Sequence, residues 1–480
     1  MDLKKIYKKI SAIAEKNKTP IYAVGGFVRD LLMDKQEFKD IDFVVEGSGI
    51  DFAEKFDKAM KEQGRLVIFP DFDTARYLFF DEQDKIFLEL EFAGARKEQY
   101  KKSSRKPKVL ATDLEQDLLR RDFTINAMAL PIEKINENFF KKHIIDRFNG
   151  KQDLEDKIIR TPLDPNETFI DDPLRMIRAM RFSAQLNFSI EPQTLEAIYK
   201  NRERIKIVSA ERIQEELLKI LSCDMPSVAL NLMFQTHLLD LILPEVAQLD
   251  GVEEIYGHQH KNNMVHTFKV VDNISLRTDK AILRLAGLLH DIGKFATKHF
   301  IAKTGWTFYQ HEHVGKKLVY RISKRLRLSK KDTDYLAKMV RWHQQPISLM
   351  DDGITDSAVR RLIVNLEDDL DDLLILGISD ITTGNPYKLK KRQDNYERLR
   401  KRIDEVMEKD KLRAFQSPIR GEEIMKQCNL KPGPTVGKIK KDIEEAILDG
   451  IIPNEYEPAK IYFEKIKGKY LESAGKWEII

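Results

Sequence analysis

Val24-Gly25-Gly26-Phe27-Val28-Arg29-Asp30, followed by Asp40-Ile41-Asp42-Phe43-Val44-Val45, is the stretch that decides the fold. The first segment joins a β-rich run at Ile21–Val24 to a helical stretch at 27–33. Two glycines at such a junction let backbone approach a bulky anion, and a helix start offers free N–H groups. Arg29 lies one turn beyond Gly26, close enough to fork onto a phosphate. In a strand, residues i and i+2 face the same side, roughly 7 Å apart. Asp40 and Asp42 therefore share a face, where two carboxylates repel unless a cation sits between them. A divalent ion with oxygen ligands and a substrate phosphate satisfies both. A solvated strand face would explain the aspartates alone. Paired glycines, an arginine and paired aspartates this close in sequence point together to an anion- and metal-binding site.

Outward from this stretch, further β-rich runs follow at Arg65–Phe69, Arg76–Phe80 and Ile86–Phe92, with helical stretches around 3–16 and 50–62. They predict an α/β head with a sheet of about five strands. On the last run Glu89 and Glu91 share a face, and Glu91 is the preferred third carboxylate of the site. Beyond about Gly150 the strand signal nearly vanishes. Leu174–Leu186, Ala210–Leu221 and Ser227–Ile242 carry the three-four apolar spacing of helices. Helices are expected at 265–278, 280–290, 313–326, 331–343, 357–366, 370–380 and 393–408, and a last one near Val436–Leu448 after the Lys431–Pro434 turn. Leu243–Gly257 and Thr383–Tyr387 read as linkers. The fold class is α+β: a small mixed-sheet head at 1–155, helical domains at 156–242 and 243–385, and a helical body and tail at 386–480.

Composition agrees with a mainly helical chain. Of 480 residues 33% are charged, and Gly and Pro number only 22 and 17. That balance argues against a β-sandwich. The hydrophobic fraction of 42% is enough for sizeable cores and excludes a disordered tail. The net charge of +4 does not by itself imply a nucleic-acid partner. Two distant cysteines, Cys223 and Cys428, suggest a reducing compartment without a disulfide framework. The N-terminal stretch reads as a charged amphipathic helix rather than a signal peptide, and no run approaches the roughly 18 apolar residues of a membrane span. A cytoplasmic protein is expected.

The glycine-arginine-aspartate set resembles the polymerase-beta-type nucleotidyltransferases, and more specifically the bacterial tRNA CCA-adding enzyme and poly(A) polymerase family. The resemblance continues through Arg120-Arg121-Asp122-Phe123-Thr124-Ile125-Asn126-Ala127 and Asp146-Arg147-Phe148-Asn149-Gly150. It implies that Asp40 and Asp42, with Glu91, hold Mg²⁺ and direct an RNA 3′-hydroxyl at the α-phosphorus of a nucleoside triphosphate. Gly25, Gly26 and Arg29 would contact the triphosphate, Arg121 would add positive charge, and Asp122 and Asn126 would lie near the ribose. Relatives commonly carry Asp at the Glu91 position.

A second signal is Asp171-Asp172-Pro173-Leu174-Arg175-Met176-Ile177-Arg178-Ala179-Met180-Arg181-Phe182. Asp172 and Arg175, three apart, are expected as helix neighbours. A carboxylate and a guanidinium together can read a base edge. The resemblance implies that this pair selects CTP and ATP, with Arg178 and Arg181 on phosphate or ribose. Helix geometry sets Asp172 and Arg181 on nearly opposite faces, so Arg181 needs a long reach or a packing role.

The third signal is histidine. Seven of the ten histidines fall within 258–313. His266, His290-Asp291 in Leu288-Leu289-His290-Asp291-Ile292-Gly293-Lys294, His311, His343 and Asp380 resemble the ligand order of the HD phosphohydrolase superfamily. Imidazole with carboxylate suits transition metals. The implied ligands are His266, His290, Asp291 and Asp380, with His311 and His343 supporting a second ion. On a helix His290 and Asp291 would diverge by about 100°, so only a ligand between them could use both. His258, His260, His299 and His313 match no ligand position.

RNA contacts are expected from the basic stretch 101–108 and from a basic cluster at Lys388–Arg402, with Tyr387 and Tyr396 as stacking aromatics. Segments 415–421 and 431–438 resemble the tail with which the family grips tRNA. The favoured reading is completion of the CCA end of tRNA from CTP and ATP, with metal-dependent phosphohydrolysis in the HD region. Alternatives are poly(A) or partial CC- or A-addition, an HD-containing signalling nucleotidyltransferase acting on a protein, and a non-catalytic RNA scaffold. Oligomeric state stays open.

Overall fold

The computed structural model describes residues 3–61, 63–99, 108–256, 258–259, 262–350, 355–410 and 417–479. Packing divides it into two units, Met1–Ala247 with Arg325–Arg327, and Gln248–Lys324 with Leu328–Ile480.

The first unit opens with α1 (Leu3–Asn17), whose Ile6, Tyr7 and Ile10 are buried. There follow β1 (Ile21–Val24), α2 (Gly26–Leu32), β2 (Asp40–Val45), α3 (Gly49–Met60), β3 (Arg65–Phe69), β4 (Thr74–Phe80) and β5 (Ile86–Gly94). A hairpin of β6 (Arg96–Gln99) and β7 (Lys108–Ala111) precedes α4 (Leu114–Leu119), β8 (Met128–Pro131), β9 (Ile145–Asp146) and α5 (Gly150–Glu155). The main sheet runs β3-β4-β5-β2-β1-β8-β9, seven strands where the sequence predicts about five. It is mixed, because β2 and β5 pair in parallel and the other neighbours are antiparallel. The two added strands lack the local signal. Met128, Ala129 and Leu130 of β8 are all buried, so that strand shows no period-two alternation, and β9 is too short to show one. Phe43, Phe52, Phe56, Tyr77 and Phe92 pack between the sheet and α3, with Phe43 stacked on Phe92 at 5.3 Å. This core sits behind the face that carries Asp40 and Asp42.

A two-stranded parallel ladder of β10 (Ile158–Ile159) and β11 (Ser189–Ile190) flanks α6 (Pro165–Asp171) and α7 (Leu174–Leu186). Then come α8 (Pro192–Asn201), α9 (Ala210–Leu221), α10 (Pro226–Gln235), α11 (Leu238–Ile242) and α12 (Pro244–Ala247). α7 packs on α9 and α10. The single helix expected over Ser227–Ile242 is two, because His237 adopts a left-handed conformation, φ 58°, between α10 and α11.

The second unit holds a short ladder of β12 (Glu254–Ile255) and β13 (His258–Gln259), then α13 (Asn263–Ser275), α14 (Ala281–Leu289) and α15 (Lys294–Thr297). A hairpin of β14 (His299–Ile301) and β15 (Gly305–Thr307) leads to α16 (His311–Leu326), α17 (Lys330–Trp342), α18 (Gln345–Ser348), α19 (Asp356–Leu366), α20 (Leu370–Ser379) and α21 (Pro386–Asp410). The last helices are α22 (Gly421–Cys428), α23 (Pro434–Leu448) and α24 (Tyr456–Leu471). α14 is buried continuously from Leu283 to Leu289 and packs against α13, α17 and α20. That burial befits a helix apolar nearly all round. α21 begins at Pro386, earlier than expected and inside the supposed linker. Asn385-Pro386, expected within a linker, is a helix start. The Lys388 N–H donates to Asn385 Oδ1 (3.1 Å), and proline suits the first helical position. α21 packs on α19 and α20. Glu478 closes the tail by accepting from the Thr435 N–H and hydroxyl, both at 2.9 Å, at the start of α23.

Candidate functional site

A cleft of about 660 Å³ in the first unit is lined by Gly25, Gly26, Arg29, Asp40, Asp42, Glu91, Arg121, Asp122, Asn126, Arg178 and Arg181, among others. Gly25 takes φ 73°, which lets the chain turn from β1 into α2 beneath the Arg121 guanidinium and the Asp42 carboxylate. Only glycine adopts that conformation freely. The parallel register sets Asp40 beside Glu89 and Asp42 beside Glu91, so four carboxylates share one floor. Arg76 of β4 partly offsets them. Its Nε lies 2.8 Å from Glu91 and 3.1 Å from Glu89. Asp42 is open to solvent at the floor of the cleft while protein mass surrounds it. Burial, then the Glu91 charge, push its carboxyl up to about 6 against the opposing Arg121. That uncompensated negative charge is what a divalent cation would relieve.

The cleft wall is one chain of ion pairs and hydrogen bonds. Arg29, buried, donates from Nε to Asp30 (2.8 Å) and from Nη1 to Asn126 Oδ1 (2.9 Å). Asn126 donates to Asp122 Oδ1 (3.2 Å), and Asp122 Oδ2 accepts from Arg178 Nε (2.9 Å) and Nη2 (2.5 Å). Glu216 of α9 binds Arg181 (2.7 Å) and faces Arg178 (3.6 Å). Three guanidiniums, of Arg29, Arg178 and Arg181, lie 5.3, 5.4 and 4.1 Å from the Phe182 ring centroid. Burial would raise the Asp122 carboxyl, but the Arg178 guanidinium outweighs it and holds the group at about 2. Each guanidinium is held by a carboxylate, so the wall is a pre-ordered set of guanidinium donors, which suits a polyphosphate.

One expectation about the helix that carries Arg175 needs correction. Asp172 is not a helix neighbour of Arg175. It stands at the turn between α6 and α7 in extended conformation, φ −134° and ψ 100°. The following Pro173 is the reason, since proline disfavours helical geometry in the residue before it. Asp172 caps α7, accepting from the Leu174 N–H (3.2 Å), and pairs with Arg212 of α9 (2.7 Å). Arg175 is buried and donates to the Arg120 carbonyl (2.5 Å). Arg178 and Arg181 line the cleft, whereas Asp172 and Arg175 are outside its lining.

In the second unit, His266, His290 and Asp380 form one group and Asp291, His311 and His343 another, each with its ligand atoms within 4.8 Å of one another. Asp291 stands between the groups. Its Oδ2 lies 3.2 Å from His290 Nε2 and 3.6 Å from His266 Nε2, and its Oδ1 lies 3.3 Å from His311 Nε2. Asp380 Oδ1 is 2.9 Å from His266 Nε2. α14 stops at Leu289, so His290 ends the helix and Asp291 lies in the turn beyond it. His290 keeps helical dihedrals, φ −58° and ψ −37°, and its Nε2 and the Asp291 carboxylate converge on one centre, where a shared ligand would use both.

Three ring Nδ1 atoms lie 2.7–2.8 Å from carbonyls: His290 on Gly287, His311 on Phe308 and His343 on Val340. A carbonyl only accepts, so Nδ1 carries a proton, and in the neutral ring each Nε2 presents a lone pair inward. His311 and His343 Nε2 nevertheless stand 3.2 Å apart, and His290 Nε2 makes no well-formed hydrogen bond. Facing lone pairs need a cation, and outer-face partners on ligand histidines are how metal sites are oriented. These residues fit a divalent metal.

Other expected contacts divide. The stretch 101–108 lies outside the described residues up to 107, as do His260 and Phe415-Gln416. On α21, Lys388, Lys390, Lys391 and Arg392 reach solvent, as does Tyr387, but Arg400 and Arg402 are paired with Asp371 and Asp356. Tyr396 is not an exposed stacking aromatic, because it is buried against Gly377 of α20. Sequence reasoning missed Arg76, Glu216 and the part played by Phe182, which depend on cross-strand and cross-helix pairing. It also missed Lys294, which lies 2.6 Å from Asp291 although it ends the quoted histidine-aspartate motif.

Three family models match the chain: "Poly A polymerase head domain" over residues 21–160, "Probable RNA and SrmB- binding site of polymerase A" over 187–249, and "HD domain" over 259–407. The chain is 33% identical over 336 residues to a multifunctional CCA protein of Pseudomonas fluorescens, covering 67% of this chain and 73% of that protein. It is 31% identical over 347 residues to an A-adding tRNA nucleotidyltransferase of Deinococcus radiodurans, covering 70% of this chain and 76% of that one. In fold it is similar to a solved CCA-adding enzyme with ATP, at TM-score 0.61, 22% identity and coverage of 97% and 96%.

Proposed function

The chain belongs to the tRNA nucleotidyltransferase family that includes the CCA-adding and A-adding enzymes, and we propose that it completes the tRNA 3′ end by adding CCA from CTP and ATP without a nucleic-acid template. One observation carries this reading: the floor of four carboxylates faces a wall of ordered guanidiniums across a single cleft. Asp40 and Asp42, with Glu91, would hold Mg²⁺. When bound, that ion supplies a lowered pKa for the attacking hydroxyl and charge neutralisation on the leaving oxygens. Arg29, Arg178 and Arg181 bind and orient the triphosphate; Asn126 and Asp122 keep the first two guanidiniums in place, and Glu216 and Gln185 the third. Base choice is assigned to Asp172 and Arg175. Their present partners, the Arg212 guanidinium and the Arg120 carbonyl, have the donor and acceptor senses that a base edge offers, so they hold the two side chains in readiness.

In the second unit, His266, His290 and Asp380 with Asp291, His311 and His343 would hold one or two divalent transition ions for phosphoester hydrolysis. The basic residues of Lys388–Arg392 would meet tRNA phosphates, making affinity fall with salt. No described helix is long and apolar enough to cross a membrane, and a tRNA substrate fits the cytoplasm.

The A-adding relative favours a second reading, addition of the terminal A alone. Incubation with tRNAs ending before C and after CC, and with a poly(A) primer, followed by sequencing of the ends, separates these readings. Full CCA on the first substrate is expected. Extension of the CC-ended tRNA alone would establish the A-adding reading, and extension of poly(A) would overturn both.

A further inference from the structure

Tyr396 of α21 is 6% exposed, and its hydroxyl has no hydrogen-bond partner among the described residues. An unmet buried hydroxyl is destabilising. A phenylalanine would fill the same space without that cost, so packing alone does not account for the oxygen. The phenol lies directly on α20. A Cβ at Gly377 would stand 2.3 Å from the hydroxyl oxygen and 2.9 Å from the ring, so only glycine admits it there. Gly377 precedes Asp380 by three residues, one turn along the same helix face. The hydroxyl therefore lies against the helix one turn before Asp380, the carboxylate whose Oδ1 faces His266 Nε2 at 2.9 Å and His290 Nε2 at 3.7 Å, and is not hydrogen-bonded to it.

Metal-ligating carboxylates are themselves held by hydrogen bonds from outside the coordination shell. His266 and His290 both face Oδ1 of Asp380. We propose that Tyr396 is a positioning residue of the histidine-aspartate centre: its hydroxyl, unpaired in the structure, is the donor that the second oxygen of Asp380 takes up when its first oxygen engages a divalent ion, which fixes that carboxylate's orientation. The proposal rests on the reading of the centre as a metal site. It also accounts for Gly377 and for the burial of a tyrosine within a largely basic helix.

The test titrates Co²⁺ alone into the full chain, followed by calorimetry and by visible absorption, with His290→Ala giving the background from other sites. Tyr396→Phe should weaken Co²⁺ binding at the centre roughly tenfold and change the visible Co²⁺ bands. Its melting temperature should be unchanged or higher, and nucleotide addition should be unaffected. Equal Co²⁺ affinity and identical bands in Tyr396→Phe would overturn the positioning role while leaving the metal site intact. A wild-type chain that takes up no more Co²⁺ than His290→Ala would overturn the metal reading itself, and the proposal with it.

Discussion

Asp122 is buried between Asn126 and Arg178, and the Arg178 guanidinium holds its carboxyl at about 2 against the opposing effect of burial. Its ordinary value is near 3.8. A carboxyl depressed on folding contributes stability that is present above the unfolded value and is lost as pH falls through the folded one. The linkage is worth about 2 kcal/mol. Asp122→Asn should lower the melting temperature at pH 7, and its deficit against wild type should shrink between pH 5 and pH 2.5. A constant deficit across that range would mean that the pair does not carry the linkage. Asp42 behaves in the opposite sense. Its carboxyl is raised to about 6, so it takes up a proton as pH falls through that value and then holds a cation less well. The Mg²⁺ concentration for half-maximal nucleotide incorporation should rise below pH 6.5, and Asp42→Asn should lose at least about 100-fold in incorporation while still binding tRNA. Filter binding and primer extension on the same preparation would check both.

At the level of elements, the turn from β1 into α2 and the break between α6 and α7 position the chemistry. The backbone at Gly25, φ 73° and ψ −142°, lies outside the left-handed α well and costs a residue with a Cβ about 1–3 kcal/mol. That Cβ would stand 3.2 Å from Arg121 Nη1 and 3.3 Å from Asp42 Oδ2. Gly25→Ala should therefore raise the KM for ATP roughly tenfold, with a modest loss of stability. A variant with wild-type KM would show that the turn does not shape the nucleotide site. The α6–α7 break is legible in the sequence, since Pro173 marks Asp172 as extended, and helix spacing does not run across it. The Asp40–Asp42 face is legible too, because period two is a local property. The pairing of Asp42 with Glu91, and of Glu91 with Arg76, is not, because registers between strands distant in sequence depend on the whole sheet.

At the level of the whole molecule, two separate centres lie in two packing units. His290→Ala should remove metal-dependent phosphatase activity and leave nucleotide addition within about twofold of wild type, since the two centres share no residue and sites without shared partners rarely couple. Parallel assays of both reactions would check this, and a large loss of nucleotide addition would show the centres to be coupled. The sequence by itself determined the α+β class, the glycine-arginine-aspartate set, the ordered histidines and the family they resemble, because each is written in local spacing and residue type. Tertiary structure alone decided that Asp291 stands between two histidine groups, that Arg178 and Arg181 line the cleft beside Phe182, and that Tyr396 is buried against Gly377. These depend on where helices end and which faces meet. Burial and long-range pairing set those outcomes collectively, and no window of neighbouring residues contains them.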